Sequence, residues 1–364
     1  MNCEPTVGEI AGRVRRGERL SPDEAVVLYH HAPLSLLASL ARGIKERLSG
    51  DAVYYNRNFH LEPTNICVFS CRFCSYRRGA ADPGAWDCSL DEAERIARSH
   101  AGDGVTEVHI VGGVHPEHDI HWYAELIRRV KAAVPGAAVK AYTAVELGYM
   151  IRKAGMTLRD GLALLREAGM EAIPGGGAEI FDEGLRSRIC PEKGTAAEWL
   201  ALHEEAHRMG LRSNATMLYG HAETPAQRID HLDRLRRLQD RTGGFDAFIP
   251  LKYRARHNSM EALGEVSVTE DMRTLALSRL YLDNFPHVKA YWVMYGRDTA
   301  ETALLFGADD IDGTIGNTTK IYSMAGAEET APSLGVEEIE RMAASAGLRA
   351  VERDTFYNEI RNPL

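Results

Sequence analysis

A chain of 364 residues with 45% hydrophobic content can bury a large core and exceeds the size of one small domain. Its formal net charge of -9 offers no basic surface for nucleic acid or anionic lipid, so the expected partner is a small molecule. The most apolar early stretch, Pro33 to Ala41, is too short to span a bilayer, and no charged start leads into an apolar run with a small-residue cleavage site. The chain therefore reads as a soluble cytoplasmic protein, in a compartment that keeps thiols reduced.

Residues 1–50 read as a helical cap, with Ser21-Pro22-Asp23-Glu24 combining an N-cap Ser, a Pro at the first helical position and a Glu at the third. From Phe59 onward, short β-prone runs alternate with amphipathic helical patterns. Strands are expected at Phe59–Glu62, Glu107–Val111, Val139–Thr143, Glu171–Ile173, Arg212–Met217, Ala247–Leu251, Val288–Trp292 and Ile311–Thr314. Eight such runs predict an α/β fold, a (β/α)8 TIM-type barrel over residues 51–325. Helix starts such as Ser89-Leu-Asp91-Glu92 and Thr224-Pro225-Ala-Gln227 punctuate the alternation. A helix near Val336–Ala346 and a final extended piece form a C-terminal αβ extension over 326–364. No tandem repeat or low-complexity linker announces a second catalytic domain.

Chemistry concentrates just after the first barrel strand, where Cys67-x-x-x-Cys71-x-x-Cys74 places three thiols within eight residues and no fourth Cys follows nearby. A four-thiolate site saturates its metal, whereas three cysteines holding a [4Fe–4S] cluster leave one iron open to a small molecule. Cys3, Cys88 and Cys190 are scattered and read as ordinary small side chains. Gly112-Gly113 ends the second strand, where two glycines let a ligand approach the backbone; by itself such a pair is also a plain turn. Gly175-Gly-Gly177-Ala-Glu179 follows the fourth strand, with Arg188 further along. A carboxylate there can hold a ribose diol and Arg188 a carboxylate, or both can be solvated loop residues.

One motif points elsewhere. His203-Glu204-Glu-Ala-His207 matches the zinc-peptidase helix, with Glu204 as the general base. Position 213 is Ser where the long form has its third His, and the segment reads as an outer barrel helix away from the catalytic mouth.

The Cys spacing, with Phe73 just before the third Cys, resembles the cluster loop of the radical S-adenosylmethionine (SAM) enzymes. That resemblance implies one [4Fe–4S] cluster on Cys67, Cys71 and Cys74, SAM as cosubstrate, and an electron donor such as flavodoxin or ferredoxin. It also implies SAM contacts by Phe73, Gly112, Gly113, Glu179, Arg188, Asn214 and Thr216. In those enzymes a Gly-Gly-Glu-like element binds the methionine amino group, and here Val114 stands at the third place.

His60-Leu-Glu62-Pro63-Thr64-Asn65, Gly112-Gly113-Val-His115-Pro116, Gly175-Gly-Gly-Ala-Glu179-Ile, Thr216-Met-Leu-Tyr-Gly220-His221 and Asn317-Thr-Thr-Lys320 narrow the resemblance. Together they are similar to the radical SAM enzymes of menaquinone-precursor and deazaflavin-cofactor synthesis, and most of all to the aminofutalosine synthases. The substrate implied is 3-[(1-carboxyvinyl)oxy]benzoate, to which the adenosyl radical adds; the aryl group migrates and carboxylate is lost. Two substrate carboxylates need cationic or multi-donor partners. Lys252, Arg254 and Lys320, with Asn65 and Asn317, are the candidates. His60 and Glu62 alternate with Leu61 on a strand expected to be buried on both faces, so they point to the barrel mouth or need an internal partner. Proton management is the role expected of them. Asn214 and Thr216 share one strand face toward the adenosine, and Asp312 and Thr314 share another.

Overall fold

The computed structural model describes residues 5–316, 318–327 and 331–360. Three helices open the chain, α1 (Val7–Arg15), α2 (Pro22–His31) and α3 (Leu34–Ser49). Thr6 with Glu9 and Ser21 with Glu24 close capping boxes on the first two, and Pro22 occupies the first turn of α2, where its missing N–H costs nothing. Their apolar faces, including Ile10, Val14, Leu28, Leu37 and Ala41, are buried. α2 packs on the helices Pro225–Thr242 and Val268–Tyr281, and α3 on the latter, so all three lie outside the barrel wall.

Ten strands follow: β1 (Ala52–Asn56), β2 (Asn58–Leu61), β3 (Glu107–Ile110), β4 (Ala138–Ala141), β5 (Met170–Ile173), β6 (Arg212–Tyr219), β7 (Phe245–Lys252), β8 (His287–Val288), β9 (Asp310–Gly313) and β10 (Arg349–Glu352). β2 to β8 form one parallel sheet in chain order. These strands are largely buried on both faces, yet β2 (Asn-Phe-His-Leu) and β3 (Glu-Val-His-Ile) alternate polar and apolar residues.

The barrel closes through β9. Lys289, just past β8, bridges to Asp310, while β9 pairs with β1 and not with β2. Thr314 N–H donates to the Asn56 carbonyl at 3.1 Å, Asn58 Nδ2 to Asp312 at 3.3 Å and Ile315 N–H to Asn58 Oδ1 at 3.4 Å. A TIM-type barrel is thus the architecture, its eighth strand joined at the start of β2 by side-chain and single backbone bonds. One expected strand is corrected. Val288–Trp292 pairs only at its start, because the chain turns to bury Trp292, which opens the short helix Trp292–Tyr295 and donates Nε1–H to the Gly313 carbonyl at 2.8 Å.

β10 pairs in parallel with the other edge of β1, and the tail after it fills the barrel bottom. Arg353 Nε and Nη2 lie 2.7 and 2.6 Å from Asp310 Oδ2, and Thr355 donates to Glu107 at 2.9 Å. Glu107 also pairs with Lys140 at 2.7 Å. The bottom is closed by charge pairs; the carboxyl ends of the strands remain for the site.

Candidate active site

The segment after β2 crosses the barrel mouth and is laced to the end of β3 backbone to backbone. Gly113 N–H donates to the Thr64 carbonyl at 2.7 Å and Val68 N–H to the Val114 carbonyl at 2.9 Å. A Cβ on Gly113 would sit 2.3 Å from the Ile66 oxygen and one on Gly112 2.7 Å from the Thr64 oxygen, so only glycine permits this approach. Cys67, Cys71 and Cys74 are free, and all three line one cavity of about 230 Å³. Desolvation pushes the thiols of Cys67 and Cys71 up from their usual range.

The cavity brings together residues from every part of the barrel. His60 of β2, His109 of β3, Asn214 and Thr216 of β6, Lys289 after β8 and Asp312 of β9 line it, with Gly112, Gly113, Gly175, Gly176 and Gly177. His60 is 5% exposed, and neither of its ring nitrogens has a hydrogen-bond partner. Its ring lies 4.5 Å from that of His109, and burial lowers both pKa values, that of His109 to about 3. Both imidazoles are neutral at pH 7, each with one donor and one acceptor to offer a ligand. Thr216 Oγ1 donates to the Gly175 carbonyl at 2.7 Å, tying the Gly run to β6. Lys289 pairs with Asp312, so that cation is balanced before any ligand arrives.

Other expected residues stand off the cavity. Glu62 accepts from Thr319 Oγ1 at 2.7 Å and from Lys320 N–H at 3.1 Å, holding the segment that carries Thr319, Ile321 and Tyr322 onto the cavity wall. Asn65 is a scaffold residue: its Nδ2 donates to the Gly84 carbonyl and its Oδ1 accepts from Trp86 N–H, at 2.9 and 2.8 Å. Glu179 pairs with Lys193 at 2.5 Å, and the Lys193 ammonium lies 5.3 Å over the Phe73 ring. Asn317 falls outside the described residues.

Four further expected residues, Arg188, Lys252, Arg254 and Lys320, do not line the cavity. Arg188 is exposed, because the helix Glu183–Ile189 turns Leu185, Arg186 and Ile189 inward; Lys193 is the cation that reaches the cavity from this segment. On β7, Ile249 and Leu251 face the cavity, so Lys252 points outward to Asp271 at 2.8 Å. Arg254 is spent on Glu265 and the Gly326 carbonyl at 3.3 and 3.2 Å. Lys320 is exposed, its ammonium 4.7 Å over the Trp86 ring. The sequence reading does not single out His109, Glu146, Lys193 or Lys289, which also line the cavity. His109 carries the period-two signal already used for His60, one strand over and in register with it.

The zinc-peptidase motif is packing. His203 is fully buried between Trp199 and Phe245, and both His203 Nδ1 and His207 Nε2 bond Ser213 Oγ, at 2.9 and 2.8 Å. Glu204 faces outward to Arg208 and Arg241. Asp87, His115 and His118 cluster at the loop after β3, but His115 Nδ1 accepts from Glu117 N–H at 3.1 Å. In the neutral ring that puts the proton on Nε2, which then donates toward Asp87 instead of ligating.

That trio is also the one set of three such groups, among the described residues, whose ligand atoms all lie within 4.8 Å of one another; the three cysteine sulfurs are spread wider. One tetrahedral zinc at about 2.3 Å from each sulfur would hold them about 3.8 Å apart. Cysteines that each take a different iron need the wider set. With the glycine cradle, the unpartnered His60 and a cavity beside the thiols, the residues fit a three-Cys [4Fe–4S] cluster with a ligand above it.

Comparison with known proteins agrees with this geometry. Residues 61–235 match the radical SAM superfamily, and residues 242–363 match the CofH/MqnC C-terminal region. The chain is 42% identical to an aminodeoxyfutalosine synthase of Thermus thermophilus, over 98% of this chain and 97% of that one. It is 40% identical to an aminodeoxyfutalosine synthase of Streptomyces coelicolor, over 97% and 94%. It is 38% identical to a 5-amino-6-(D-ribitylamino)uracil–L-tyrosine 4-hydroxyphenyl transferase of Methanoculleus marisnigri, over 98% and 99%. Among solved structures, methylornithine synthase superposes with a TM-score of 0.75 at 16% identity, covering 94% of this chain and 97% of that one, a likeness of fold.

Proposed function

The chain belongs to the radical SAM superfamily, and from that premise we propose that it is an aminodeoxyfutalosine synthase, joining the adenosyl carbon of SAM to the enolpyruvyl ether of 3-hydroxybenzoate with aryl migration and loss of carbon dioxide. What carries the reading is the 42% and 40% identity to two such synthases over nearly the whole chain, on a cavity lined by the three cysteines. Cys67, Cys71 and Cys74 would hold a [4Fe–4S] cluster which, once reduced by a small electron-transfer protein, supplies the electron that splits SAM into methionine and the 5′-deoxyadenosyl radical.

The chain's own residues bind, orient and exclude water. Asn214 and Thr216 on one face of β6, with the Gly175–Gly177 backbone, form the wall for the adenosine. His60 and His109 end the cavity on the β2–β3 side with neutral donors and acceptors for the substrate's carboxylate and ether oxygens. Lys193 and Lys289 supply positive charge along the same cavity, each already held by a carboxylate so that neither collapses onto the other's ligand. Glu62 fastens the 318–321 segment beside the reactants, keeping water and quenchers away from a carbon-centred radical. The compartment we infer is the cytoplasm; no described helix is long and apolar enough to cross a membrane.

The test is anaerobic reconstitution with iron and sulfide, reduction, and addition of SAM and the enolpyruvyl ether, with mass analysis. A product joining the adenosyl mass to the substrate, less carbon dioxide, is expected. Free 5′-deoxyadenosine in its place moves the chain to the hydrogen-abstracting branch, and coupling of a ribitylaminouracil with tyrosine moves it to the transferase branch. An assembled cluster that cleaves no SAM defeats the proposal.

A further inference from the structure

Three carboxylates line the cavity, and two of them have their cation: Glu107 pairs with Lys140 and Asp312 with Lys289. The third, Glu146, has none within salt-bridge distance among the described residues, although it is only 6% exposed. Its Oε1 accepts from Gly112 N–H at 3.1 Å and its Oε2 from Thr143 N–H at 2.7 Å. A buried carboxylate without a counter-charge is costly, and burial drives its pKa up to about 7.

Helix capping does not explain that cost. Glu146 is the third residue of the helix Ala144–Lys153 and closes a capping box with Thr143. Among the described residues, five other boxes close the same way. Glu9, Glu92 and Glu198 do so exposed to solvent, where their backbone partners lower the pKa. Glu24 does so buried but paired with Arg13. At Thr224 the partner is Gln227, so a neutral amide caps as well. Of these six, Glu146 alone is a buried carboxylate with no cation in salt-bridge contact, Lys193 acting on it only from a longer distance, and it faces the cavity that the three cysteines share.

We propose that Glu146 is the recognition residue for the ammonium group of SAM, an inference that rests on the function proposed above. Its Gly112 bond sets it beside the Gly112–Gly113 edge, whose third position is Val114, 3% exposed and engaged through its carbonyl with Val68. The carboxylate for the amino group thus comes from the strand next door: the first turn of the helix after β4 rather than the end of β3. Each Glu146 oxygen keeps a second lone pair for an N⁺–H donor. One ammonium supplies the missing counter-charge, and the wall needs no rearrangement to receive it.

The experiment uses the reconstituted holoenzyme with its cluster left oxidised, so that SAM binds without cleavage. Equilibrium dialysis compares SAM, its desamino analogue and 5′-methylthioadenosine on wild type and Glu146→Gln, with iron content measured in parallel. Loss of a charge-assisted bond predicts SAM affinity about 30-fold weaker in the variant, with 5′-methylthioadenosine and iron content unchanged. The desamino analogue should bind both proteins alike. Glu146→Asp, which keeps the charge, should retain part of the preference for SAM over the desamino compound. Equal weakening of all three ligands, or no weakening of SAM, would overturn the assignment and leave the radical SAM reading standing. Wild-type holoenzyme that does not prefer SAM to 5′-methylthioadenosine would overturn both.

Discussion

Glu62 illustrates how far a single side chain near the mouth can be read. Its carboxyl is pushed up to about 6 by burial, against the pull of its bonds to Thr319 and the Lys320 and Ile321 amides. A carboxyl raised above its ordinary 4.5 contributes stability that is complete below pH 4.5 and is lost as pH rises through about 6, roughly 2 kcal/mol in all. Urea unfolding at several pH values should show that slope in wild type and a slope smaller by that amount in Glu62→Gln. If His60 serves the reaction as proposed, His60→Asn should lower product formation about 100-fold while leaving iron content and SAM binding intact. Both residues were visible in the sequence because polar side chains at period two on a buried strand have few places to go. Lys252 was expected at the mouth from its place after the sixth strand, but β7 runs to position 252, and Ile249 and Leu251 take the inner face. Glu146 was hidden for another reason, since a capping-box glutamate already has a local explanation and only burial shows that it is insufficient.

At the scale of elements, the loop after β2 and the end of β3 behave as one piece. Gly113→Ala sets a Cβ against the Ile66 carbonyl at 2.3 Å and must displace the backbone one residue before Cys67. The expected outcome is a folded barrel, with unchanged far-ultraviolet circular dichroism, that retains little iron after reconstitution. The alternation of β-prone and helical runs announced the barrel because short strands alternate with helices, many of which carry capping residues at their starts. The weak point was β8, where Lys289, Ala290 and Tyr291 have strand character but the ladder ends at Val288 and passes to a single bridge. Pairing partners decide such an end, and those lie over twenty residues away. The helix of the zinc-like motif was read correctly as an outer one, since its two histidines share Ser213 as their common partner.

For the whole molecule, the C-terminal tail is an internal part of the barrel. Arg353 is fully buried against Asp310, and removing one member of a buried pair strands the other, so Arg353→Ala should cost about 3–5 kcal/mol in equilibrium unfolding. The sequence showed an extended piece at this end without showing its place, because nothing local distinguishes a strand that will pair with position 52 from one that pairs with its neighbour. That distance in sequence has a temporal consequence. Among the described residues, β1 pairs only with β9 and β10, which are made more than 250 residues later. On the ribosome, β1 is synthesised early and keeps both edges open until β9 and β10 have been made. Completion of the barrel, and of a chamber fit to receive iron and sulfide, therefore waits on those two late strands.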